Sequence, residues 1–134
     1  MRMREVTVLD STRKGVVVGS RIQVADSPLA RLIGLMGRKF LDPGTGLLLR
    51  PCSSIHTCWM RIPIDVLHLD WHLRVLAIDI ALKPWRVGSI RLRTRMVLEL
   101  PASTVARIGI ELGDQLAIED MAAKAATSLC VTRV

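Results

Sequence analysis

The sequence predicts a mainly β domain of the α+β kind: a small, partly open β-barrel of about seven strands with two short helices. Three observations carry this. Short segments alternate apolar and polar side chains, the period-two pattern of half-buried strands. Gly, Pro and Asp punctuate them closely, as at Asp42-Pro43-Gly44 and Gly113-Asp114. Helical spacing is confined to short stretches, so helices can only plug or cover the ends of a sheet.

Taken in order, residues 4–9 and 16–25 read as an opening hairpin across a basic turn at Thr12–Gly15. Residues 27–37 read as a short helix. Ser27 is its N-cap candidate and Pro28 suits the first helical position. Leu29, Leu32, Ile33 and Met36 fall at i, i+3, i+4 and i+7, one buried stripe, and Gly37 suits a left-handed close. A short apolar strand follows at residues 46–50. Residues 51–70, PCSSIHTCWMRIPIDVLHLD, read as a strand, a break at Pro63 and a second strand. Residues 73–82 form another, entered by a tight turn at His68–His72. Residues 90–100 read as a long strand that sets Arg91, Arg93, Arg95 and Glu99 on one face. Residues 101–109 supply the second helix, closed by Gly109. The segment IELGDQLAIE reads as strand, turn, strand. One domain is expected over residues 1–119, with a frayed or helical tail at 120–134.

With 134 residues, half of them hydrophobic, the chain suffices for a single core and for self-association into a homo-oligomer. The formal charge of +7 points to anionic partners or solubility and says nothing of fold. Three cysteines, unevenly spaced, do not make a disulfide framework, so a reduced, cytoplasmic setting is expected. The N-terminus MRMREVTVLD has no apolar h-region, and no apolar run approaches the roughly twenty residues of a membrane-spanning helix, so no membrane is expected as partner.

An ordered set of motifs carries a resemblance. ARLIGLMGR (30–38) is followed by SIHTCWMRIPIDVLHLD (54–70), LRVLAI, PWRVG (84–88) and MVLELPASTVARIGIELGD (96–114). In this order they resemble domain of unknown function 192, a family of uncharacterised bacterial and archaeal proteins. The resemblance spans roughly residues 5 to 119. It implies a compact β-rich domain with short helices and implies no activity. Cys58 stands where such relatives usually carry an aromatic residue.

Candidate chemistry concentrates in residues 51–70. Cys52, His56 and Cys58 fall short of a zinc site, which needs four N or S ligands, or three and a water. No metal or other cofactor is therefore expected. A thiol nucleophile at Cys52 or Cys58 beside His56 is awkward, because side chains two apart on a strand point the same way. Asp65 and Asp70 fall on opposite faces, so they do not form a paired acid and base. Asp65 is expected to cap a turn, to pair with Arg31 or Arg38, or to join a polar floor. Arg31, Arg38, His56, Thr57, Met60 and Asp65 embed polar groups in apolar segments and are the candidate ligand pocket. Within it Trp59 is expected in the core, with His56 and Met60 facing a pocket rimmed by Arg31 or Arg38. Arg91, Arg93 and Arg95 form a weaker anion candidate. They lack interleaved aromatics, so nucleic acid is not the expected partner. The expected function is a small non-catalytic module binding a small molecule or a protein. The alternatives are an enzyme using His56 with Cys52, Cys58 or Asp65, and a basic docking surface.

Overall fold

The computed structural model describes residues 3–28, 30, 40–52, 61–86 and 93–120. Among them are seven strands: β1 (Arg4–Asp10), β2 (Val16–Ala25), β3 (Thr45–Leu49), β4 (Ile64–Leu69), β5 (Val75–Leu82), β6 (Met96–Pro101) and β7 (Leu116–Glu119). One α-helix, α1 (Thr104–Ile108), and one 3-10 turn, Ser11–Arg13, accompany them. The strands form a single sheet in the order β5-β4-β6-β3-β2-β1-β7. Every neighbouring pair is antiparallel except β2 with β3. A parallel pair needs a crossover, and residues 26–44 supply it. That crossover opens helically at Pro28 and Ala30, and the Ser27 hydroxyl accepts the Ala30 N–H at 3.1 Å, as an N-cap should. The rest of the helix expected over 27–37 lies outside the described residues.

The sheet curls until its two edge strands meet where they begin. Val75 N–H donates to the Asp114 carbonyl at 2.9 Å, Gly113 N–H to Val75 at 2.8 Å, and Leu116 N–H to Leu73 at 3.0 Å. The Gln115 side-chain amide also donates to the His72 carbonyl. The result is a mainly β half-barrel. Inward residues from alternate strand positions make its core: Val6, Val8, Ile22, Val24, Leu48, Leu67, Leu69, Leu98 and Leu100, with Val105 and Ile110 closing one end. Each such side chain contributes about 1.5–3 kcal/mol by leaving water. Gly46 is required where β3 passes β6. A Cβ there would lie 2.5 Å from the Glu99 carbonyl oxygen and 2.9 Å from Ile22 Cδ1.

Two expected strands are corrected. The strand expected over 90–100 begins only at Met96, because its partner β4 ends at Leu69, which pairs with Met96. Asp70 turns the chain there, its Oδ1 accepting the His72 and Arg74 N–H groups at 2.8 and 3.0 Å. Arg93 therefore sits in a turn and Arg95 ahead of the strand, both exposed, and Arg91 lies outside the described residues. No basic strand face exists among the described residues. Residues 110–112 are not a strand either. Gly109 (φ 85°) and Gly113 (φ 86°), both left-handed, bracket too few residues for a ladder. Ile110 still reaches the core.

Candidate functional site

The outer face of the sheet carries a second apolar cluster. Ala25, Leu47, Leu49, Ile64, Val66 and Val97 form it, covered in part by Met3, Ala30, Leu41, Cys52, Ile62 and Leu82. Period-two alternation places Glu99 and His68 on this same face, since Val97 precedes the one and Val66 the other by two positions. Glu99 lies in a row between Val66 of β4 and Leu47 of β3. His68 pairs with Val97, which makes it the diagonal neighbour of Glu99. Diagonal partners in a sheet stand about 7–8 Å apart at Cα, within reach of long side chains.

Both residues are sealed from water: Glu99 is 4% exposed and His68 0%. His68 Nε2 lies 2.8 Å from Asp79 Oδ2 on β5. A carboxylate only accepts, so Nε2 carries the hydrogen and Nδ1 faces the other way. Nδ1 has no hydrogen-bond partner, and neither has Glu99 Oε2. Burial pushes the Glu99 carboxyl up to about 8, so at neutral pH it is chiefly the uncharged acid. Two orphaned polar atoms on an apolar face are costly to a fold, about 1–3 kcal/mol each.

Asp65 is placed elsewhere. It points into the barrel at 0% exposure. Its Oδ1 accepts the Ala81 N–H and its Oδ2 the Val105 N–H, both at 2.9 Å. Ala81 is held at φ 48° within a bulge of β5, and α1 gets no cap from the Ser103 side chain. Asp65 serves both irregularities at once. Arg31, Arg38, His56, Thr57 and Met60, together with Cys58 and Trp59, lie outside the described residues. The described residues bounding their segments, Ala30 on one side and Cys52 and Ile62 on the other, pack on the outer face. Cys52 is half-buried, with its N–H bonded to the Arg95 carbonyl at 2.8 Å. His72 stands exposed in the turn after β4. Among the described residues no three His, Cys, Asp or Glu side chains gather as metal ligands, and no helix is long and apolar enough to cross a membrane.

Sequence reasoning missed Glu99 as a site residue, setting it with the arginines of a basic strand face. The available signal was an acid inside the apolar run Met96–Leu100. His68 reads as the end of the second strand and the start of the turn after it, although it sits inside an apolar run.

A seven-strand half-barrel with a sealed core and a polar pair on an apolar outer face defines a small β-rich domain whose candidate face, among the described residues, is that outer one. Residues 9–118 match the model of domain of unknown function 192, described as "Uncharacterized ACR", and the chain belongs to that family. It is 36% identical to a UPF0127 protein of Pyrococcus horikoshii, over 71% of this chain and 84% of that one. It is 31% identical to a UPF0127 protein of Pyrococcus furiosus, over 77% and 90%. Two solved structures share the fold at 25% identity. A Sinorhizobium meliloti protein, described provisionally as a transcription regulator, superposes with a TM-score of 0.79 over 88% of this chain and 96% of that one. A Novosphingobium aromaticivorans protein of unknown function does so at 0.72, over 86% and 84%.

Proposed function

We propose that the chain is a small, non-catalytic binding module whose ligand or partner seats on the outer face of the half-barrel, over Glu99 and His68. The observation that carries this reading is the unpartnered Oε2 of a carboxyl group buried among Leu47, Val66 and Val97. A folded chain keeps such a group at a cost in stability when another molecule supplies its partner. Arg31, Arg38, His56, Thr57 and Met60 belong to the same proposal, because the residues bounding their segments pack on this face. Asp65 stays with the scaffold, both oxygens engaged by main-chain amides, which weakens an enzymatic reading that pairs it with His56. A cytoplasmic setting and self-association are part of the reading and rest on cysteine spacing and apolar content. The description of the Sinorhizobium protein would favour nucleic acid. Arg93 and Arg95 lend it little support, since neither sits on a strand face.

An NMR screen of the full chain against a small-molecule fragment library tests this. Hits are expected to shift the amides of Leu47, Val66, Val97 and Glu99. Hits that cluster instead inside the barrel or at the Arg93 turn would overturn the proposal.

A further inference from the structure

Within that reading, we infer that the Glu99–His68 diagonal recognises an uncharged small molecule, an apolar body bearing a hydroxyl or a carboxamide. Two atoms define the chemistry. Glu99 Oε2 and His68 Nδ1 are both buried, both unpartnered, and diagonal on one face. The Nε2 bond to Asp79 orients the ring and leaves Nδ1 able to accept in the neutral ring. A protonated Glu99 can donate. A hydroxyl offers one oxygen that accepts from the acid and donates to the imidazole. A carboxamide offers the same pair on the oxygen and nitrogen of one carbonyl carbon. Around them the floor is hydrocarbon, so the remainder of the molecule is apolar.

Charged ligands fit poorly. Among the described residues, the groups facing Glu99 are Leu47 and Val66 beside it, Thr45 and Leu49 diagonally on β3, Ile64 and His68 diagonally on β4, and Val97 and Pro101 on its own strand. The described cover, Met3, Ala30, Leu41, Cys52, Ile62 and Leu82, bears no charge. The nearest charge in its row is Asp79, beyond Val66, roughly 10 Å away at two strand spacings. An ammonium would have to ionise Glu99 in hydrocarbon, where the desolvation of both ions opposes the pair. Among the described residues, an anion would face the Glu99 and Asp79 carboxyl groups.

The test is a titration of the full chain by 15N NMR with benzyl alcohol and benzamide as neutral probes, and benzylamine and benzoate as charged ones. The neutral probes are expected to shift the amides of Leu47, Val66, Val97 and Glu99, with affinity about tenfold weaker at pH 9 than at pH 7 as Glu99 ionises. Glu99→Gln should bind the neutral probes without that pH dependence. Glu99→Leu should fold, with a dispersed spectrum, and fail to bind them. Equal or tighter binding of benzylamine or benzoate on this face would overturn the inference while leaving the binding-face reading intact. So would neutral-probe binding that Glu99→Leu leaves unchanged. If no probe shifts these amides and a crystal structure shows only water bridging Glu99 and His68, the inference also falls. Library hits mapping away from the face would then remove the broader reading as well.

Discussion

Asp65 Oδ2 accepts the N–H of Val105 at 2.9 Å, across forty residues of chain. The helix that closes the barrel is therefore capped by a strand residue rather than by its own N-terminal neighbours. Because the other oxygen holds the Ala81 bulge, Asp65 joins β4, β5 and α1. Asp65→Ala should cost about 2–3 kcal/mol, since it strands the buried Val105 N–H and the part-buried Ala81 N–H. Asp65→Asn keeps one acceptor and should cost less. Urea melts of both variants measure this, and a cost below that of an ordinary surface change would remove Asp65 from the scaffold.

Glu99 predicts a pH slope. Its folded-state value, about 8, lies above the ordinary 4.5, so the folded chain holds this proton more tightly than the unfolded chain. Stability is then full below about 4.5 and declines as pH rises from about 4.5 to 8, by up to about 1.4 kcal/mol per pH unit. Glu99→Gln should flatten the slope, and Glu99→Leu should also raise Tm at pH 8. Calorimetric scans from pH 5 to 9 decide it.

A second acid acts in the same sense at another end of the sheet. Burial, with the adjacent Asp114 carboxylate, pushes Asp10 up to about 6 from 3.8. Partial burial would raise Asp114 too, but hydrogen bonds from Asp10, the Glu111 N–H and Arg13 hold it below the usual range. Arg13 Nε contacts Asp114 Oδ2 at 2.7 Å and ties the 3-10 turn to the turn before β7. Asp10 thus contributes a loss of stability between about pH 3.8 and 6, and Asp10→Asn should abolish that part of the slope while sparing the part above pH 6. Arg13→Ala should lower Tm at neutral pH, because two neighbouring acids lose their shared cation. Thermal scans of the two variants separate these effects from that of Glu99.

Arg93 and Arg95 are exposed and precede β6, so the double Gln variant should melt like the parent. Any retention of the parent chain on single-stranded DNA should vanish steeply with salt. Sequence-selective binding at physiological salt, lost in the variant, would restore a nucleic-acid reading.

The half-barrel was legible in the sequence because its signals are local. Alternation in Arg4–Asp10 and Val16–Ala25, the Ser27 cap and the left-handed Gly109 each act within a few residues, and β1, β2, the Ser27 cap and α1 formed where the pattern placed them. Strand limits were less legible. Met96 starts β6 because β4 stops at Leu69, and pairing length is a property of two strands rather than one. Of the two acids, Asp65 was legible only as one of several alternatives, the cap of a turn, and Glu99 not at all. Asp65 and Glu99 look alike in sequence, single carboxylates in apolar runs. Tertiary structure turned one inward, to two main-chain N–H groups forty and sixteen residues away, and left the other beside side chains that offer nothing. The reason is physical: desolvation and hydrogen bonding depend on what distant strands bring alongside a residue, and no local period encodes that.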